Sequence, residues 1–91
     1  MNIRWSESAA EQLESIFEYI ELDSVDAAIL TIQRIHAAID RLAQMPYLGR
    51  KGQNDETREL VVPGTPHLVV YAIQEEIIYL IAIFHGAQKR S

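Results

Sequence analysis

Two kinds of hydrophobic spacing divide the chain. Between Leu13 and Leu42 apolar residues recur at intervals of three and four, the spacing of one helix face. Leu13, Ile16, Phe17 and Ile20 make the first such stripe, and Ala28, Ile32, Ile35, Ile39 and Leu42 the second. Asp23 and Ser24 interrupt the pattern and offer a cap for a second helix, which ends before Pro46. Helices joined this closely form a hairpin. Ser6 and Ser8 are candidate caps for the first helix, and Ser8 with Glu11 has the capping-box spacing.

After Pro46 the period changes. Gly49, Gly52, Asn54 and Asp55 mark residues 46–56 as a loop, which carries Arg50 and Lys51. Three blocks follow with strand character, Thr57 to Val62, His67 to Gln74 and Ile77 to His85. Pro63-Gly64-Thr65-Pro66 and Glu75-Glu76 separate them, so they form an antiparallel meander. Strict alternation in the last block puts Ile77, Tyr79, Ile81, Ile83 and His85 on one face and Ile78, Leu80, Ala82 and Phe84 on the other. Both faces are apolar, which predicts a central strand. Ile3 and Trp5 alternate in Asn2 to Trp5, a short strand able to join the same sheet. The prediction is one α+β domain over residues 1–91, with a short N-terminal strand, a two-helix antiparallel hairpin and a three-stranded meander packed on the helices.

Length and composition fit that picture. Ninety-one residues suffice for one core, and 48% hydrophobic with 23% charged is ordinary for a globular domain. There is no cysteine, which excludes disulfides, thiolate metal sites and a cysteine nucleophile. The polar stretch after Met1 does not read as a signal peptide, and the Ile77 to Phe84 run is too short to span a bilayer as a helix. A cytoplasmic protein without membrane contact is expected.

Charge is unevenly spread. The net charge is −5, which disfavours indiscriminate nucleic-acid binding. Residues 1–26 hold seven acids against Arg4 alone, whereas acids and bases balance over residues 50–91. Acids spaced along the first helix read as its solvated face. The functional candidates therefore sit in the second half.

His85, at the end of the last strand, either moves a proton or ties down the strand end. Arg50, Lys51 and Arg58, together with Lys89 and Arg90, either converge on a phosphate or carboxylate or are plain surface charge. Tyr71 and Tyr79 are core or cross-strand residues, with base stacking as the other use. His36, His67 and His85 lie on three separate elements without carboxylates at ligand spacing, so no metal site is expected. Neither a Gly-x-Ser-x-Gly motif nor a phosphate-cradling Gly-rich loop is present, and no cofactor is expected.

Several segments occur in a familiar order: residues 5–13 (WSESAAEQL), 16–20 (IFEYI), 46–50 (PYLGR), 57–60 (TREL), 69–71 (VVY) and 83–88 (IFHGAQ). In that order the chain resembles the RelE/ParE toxin superfamily of bacterial toxin–antitoxin systems over nearly its full length. The resemblance implies a growth-inhibiting toxin neutralised by a cognate antitoxin, whose C-terminal segment wraps it in a hetero-oligomer. It implies one of two targets. RelE-like members cleave messenger RNA on the ribosome, a role that would use Arg58 at the scissile phosphate, Arg50 and Lys51 as charge neutralisers and His85 as proton carrier. ParE-like members, including plasmid-stabilisation homologues, poison DNA gyrase. The acidic net charge, the lack of a tyrosine after His85, the Pro-x-x-Gly-Arg loop and the His85-Gly86-Ala87-Gln88 segment favour the ParE side. On that reading Arg50, Lys51, Arg58, His85, Gln88, Lys89 and Arg90 form the target-binding edge, and Leu13, Phe17 and Ile20 receive the antitoxin. A non-toxic homologue that retains antitoxin binding is a third possibility the resemblance leaves open.

Overall fold

A computed structural model describes residues 1–86. The elements run β1 (Asn2–Trp5), α1 (Glu7–Glu21), α2 (Val25–Gln44), β2 (Arg50–Lys51), β3 (Arg58–Val61), β4 (His67–Gln74) and β5 (Ile77–His85). They form one five-stranded sheet in the order β1-β5-β4-β3-β2, with the α1–α2 hairpin on one face. β5 is an interior strand, antiparallel to β4 on one side and parallel to the edge strand β1 on the other, and β4 is the middle strand. The α+β class, hairpin and meander match the sequence pattern. The addition is β2, two residues inside the expected loop that pair with β3 and extend the sheet.

Ser6, not Ser8, caps α1. Its Oγ accepts from the Ala9 amide at 2.9 Å, and the Ser8–Glu11 box is not used because the helix already begins at Glu7. Ser24 caps α2 by accepting from the Ala27 amide at 3.1 Å. The second stripe is the buried one. Ala28, Ile35, Ala38, Ile39 and Leu42 are buried from α2, whereas α1 buries only Ala9 fully. Of these, Ile35, Ala38, Ile39 and Leu42 form one core with Leu60, Val62, Val69, Tyr71, Ile78, Leu80 and Ile83 from the sheet. Each large apolar side chain buried there contributes about 1.5–3 kcal/mol.

Strict alternation fails in β5. Val70 stands opposite Ala82 and Tyr71 opposite Leu80, so Ile81 is an extra residue, a bulge. Before it Ile78 and Leu80 face the helices; after it Ile83 does, while Ala82 and Phe84 join Leu68 and Val70 on the outer face. The expected grouping of Ile83 and His85 with Ile77 and Tyr79 is therefore corrected: the bulge inverts the faces downstream.

β1 stops opposite Leu80, leaving β5 to continue with β4 on one side and no strand on the other. Helix α1 takes over. Ser6 Oγ donates to the Ile81 carbonyl at 2.9 Å, and Gln12 Oε1 accepts from the Ile83 amide at 2.7 Å. These bonds satisfy backbone groups that would otherwise be costly to bury.

Candidate functional site

The basic loop is held from below by one tyrosine. Tyr71 is fully buried; its hydroxyl donates to the Pro46 carbonyl at 2.8 Å and accepts from the Gly49 amide at 2.9 Å. Gly49 lies so close that a Cβ there would sit 2.7 Å from the Glu59 carbonyl oxygen and 2.8 Å from the tyrosine ring. Only glycine permits this approach.

Arg58 also serves the loop. Its Nε donates to the Gly49 carbonyl at 3.0 Å, Nη2 to the Tyr47 carbonyl at 3.4 Å, and the guanidinium lies over the Tyr47 ring at 5.2 Å. The half-buried side chain is a clamp on residues 47–49. Arg50 is exposed and 3.4 Å from the buried carboxylate of Glu59, while exposed Lys51 is 3.8 Å from Asp55. Arg50, Lys51 and Arg58 thus share one end of the β2–β3 hairpin.

His85 lies elsewhere. It pairs with His67 across β4–β5, whereas Arg58 pairs with Tyr71. Those two positions are about 13 Å apart along β4, with β4 itself between the two side chains' strands. A proton carrier must come within hydrogen-bond reach of the reacting group, so Arg58 and His85 do not form one reaction centre. Gln88, Lys89 and Arg90 lie outside the described residues.

His85 instead helps to line a cavity of about 350 Å³ between the hairpin and the β3–β4 turn, with Ile16, Tyr19, Ile20, Thr31 and His67. The two imidazole rings meet edge to face at 5.7 Å. His67 is buried, and its Nδ1 has no hydrogen-bond partner among the described residues. Burial, and secondarily the nearby His85, push its pKa below the ordinary imidazole value. The imidazole is therefore held neutral at pH 7. Among the described residues no group of three or more His, Asp or Glu side chains is placed to hold a metal ion. No helix there is long and apolar enough to cross a membrane.

Of the three α1 residues expected to receive a partner, Ile20 lines this cavity, Phe17 is half-buried, and Leu13 packs on the main core. Sequence reasoning missed a larger apolar surface around the hairpin turn. Tyr19 is 76% exposed and Leu22 81%, and Val25, Ile29 and Leu30 are also open. The signal was available: Val25, Ile29 and Leu30 are more apolar residues than the single buried stripe of α2 requires.

One helical hairpin packed on one face of a five-stranded sheet, with an apolar opening beside the hairpin, defines the architecture. The same fold is found in a solved chromosomal ParDE toxin–antitoxin system from P. aeruginosa, with a TM-score of 0.85 and 23% identity over 93% of this chain and 95% of that one. The model of the ParE toxin of type II toxin–antitoxin system, parDE, matches residues 3–90. A curated relative, "Putative toxin Y4kP" of Sinorhizobium fredii (strain NBRC 101917 / NGR234), is 38% identical over 87 residues, covering 96% of this chain and 90% of that protein. The chain belongs to the ParE toxin family of type II toxin–antitoxin systems.

Proposed function

We propose that this chain is a growth-inhibiting toxin that acts on DNA gyrase in the cytoplasm and is neutralised by an antitoxin seated on the hairpin. The observation that carries the neutralisation is the apolar opening flanked by Tyr19, Ile20 and His85 beside the exposed Leu22, Val25 and Ile29. An amphipathic helix laid there would remove this surface from water, the usual way a helix occupies a groove. The gyrase target rests on membership of the ParE family together with the separation of Arg58 from His85, the pair that the nuclease chemistry of the RelE branch would use and that the described residues do not bring together.

The test has two arms. Inducing the chain alone should arrest growth, and co-expressing the adjacent small gene product should relieve the arrest, except with Ile20→Asp or Ile29→Asp in the toxin. Purified chain should inhibit DNA supercoiling by gyrase. Normal growth on induction would sink the toxin reading in favour of a non-toxic homologue. Ribosome-dependent messenger RNA cleavage that is lost with His85→Ala would replace gyrase by the RelE-type target.

A further inference from the structure

His67 and His85 stand in the hairpin cavity as a matched pair. The Gly86 amide donates to the Pro66 carbonyl at 2.7 Å, which makes the two histidines a non-hydrogen-bonded pair, the position at which opposite side chains come closest. Both rings line the same cavity. Nδ1 of His67 is sealed off without a partner among the described residues. An enclosed N–H without an acceptor is less tolerable than an enclosed lone pair, so the proton of the neutral ring belongs on Nε2. That leaves Nε2 as the donor His67 can offer to the cavity.

The charges around this cavity are of one sign. From α1 the wall takes Ser15, Ile16, Tyr19 and Ile20, and from α2 only Thr31. The turn of Gly64, Thr65 and Pro66 adds no ionisable group, so Tyr19, His67 and His85 are the titratable side chains among the described lining residues. None of the acids of α1 is among them. Behind the turn stands Arg34, whose Nη1 donates to the Gly64 carbonyl at 3.0 Å. In a chain of net charge −5, a cavity with two imidazoles, a guanidinium behind its wall and no lining carboxylate is set for an anion. Ile16 and Ile20 supply an apolar wall beside these groups. The volume of about 350 Å³, at roughly 30 Å³ for each water-sized unit, holds about ten heavy atoms.

We infer that this cavity binds a small carboxylic acid with an apolar body, its carboxylate shared between His67 and His85 and its body laid against Ile16 and Ile20. An anion between the imidazoles favours their protonated forms, which opposes the effect of burial on His67. Binding therefore takes up protons from neutral solution and tightens as pH falls, for as long as the acid itself stays ionised. Few convergent polar groups in an apolar cavity are the usual make-up of a small-ligand site. The inference goes beyond the docking of an antitoxin and does not depend on toxicity, because binding is a property of the chain alone.

The experiment titrates the full isotopically labelled chain with octanoate, an acid of the required size, and follows backbone amide and imidazole resonances at about pH 7.5 and about pH 6. Shifts centred on Ile16, Ile20, Thr31, His67 and His85 are expected, with affinity about fivefold higher at the lower pH and the His67 titration midpoint moved upward by the ligand. His85→Gln, at an exposed position, should weaken binding about fivefold and reduce its pH dependence while the rest of the spectrum is kept. Ile20→Asp, which places a carboxylate in the cavity, should abolish it. No shifts at millimolar octanoate, shifts centred on Leu22 and Val25 instead, equal binding of octanol, or an affinity that does not change with pH would each overturn the inference.

Discussion

Tyr71→Phe isolates the bond that joins the basic loop to the core. The ring stays, so packing against the helices is unchanged and only the hydroxyl is lost. That hydroxyl serves two backbone groups, donating to Pro46 and accepting from Gly49. A neutral hydrogen bond contributes about 1 kcal/mol net, and a buried donor left unpaired costs about 1–3 kcal/mol. The Gly49 contact is buried and the Pro46 contact partly so, which gives a loss of about 2 kcal/mol. For a domain of this size that is roughly 8–16 °C in Tm, measurable by circular dichroism. Hydrogen exchange provides the local reading: the Gly49 amide should lose protection beyond the global change, while amides in β4 follow global stability. A Tm within a degree or two of the parent, or an equally protected Gly49 amide, would refute the idea that Tyr71 holds the loop.

Two further outcomes are expected. The β4–β5 turn has positive φ at both Glu75 (51°) and Glu76 (64°), a conformation favoured by Asn-Gly and costly for glutamates. Glu75→Asn with Glu76→Gly should stabilise the domain by about 1 kcal/mol after the entropy cost of glycine, raising Tm by roughly 4–8 °C; an unchanged or lower melt would count against it. His67 is held neutral, with its folded pKa below the ordinary 6.5. The unfolded chain therefore binds the extra proton first, so the His67 contribution is complete above about pH 6.5 and is lost as pH falls through the folded pKa. His67→Phe should flatten that part of the stability profile between pH 7.5 and 5, and an identical acid slope in the variant would show that His67 is not its source.

What the sequence discloses and what it hides follow from the range of the interactions. The helix stripes, the Pro46 boundary and the three long strands arise from local periodicity and were legible. β2 was not, because two charged residues among glycines have no period; Arg50 and Lys51 become a strand only when β3 lies beside them. The choice of Ser6 over Ser8 likewise depends on a distant group, since the Ser6 hydroxyl also reaches the Ile81 carbonyl. At the site, the types of residue were visible but their partners were not. Arg58 reads as a free cation in sequence and is a clamp on Tyr47 and Gly49 in the fold. Tyr71 reads as a core residue, and its second role required knowing that residues 46–49 return to it.

The bulge at Ile81 links these observations. With strict alternation His85 would share the outer face with Ile77 and Tyr79, away from the hairpin. One extra residue turns Ile83 into the main core and His85 toward His67, where the two rings wall the hairpin cavity. The same residue gives its carbonyl to Ser6, the cap of α1, so the start of the helix and the turn of the strand are fixed by one hydroxyl. Placement of α1 in turn sets where Ile16 and Ile20 stand against the histidines. The cavity is thus positioned by the one irregularity that hydrophobic spacing cannot express, and changes at Ser6 or Ile81 should reach the hairpin surface without touching it.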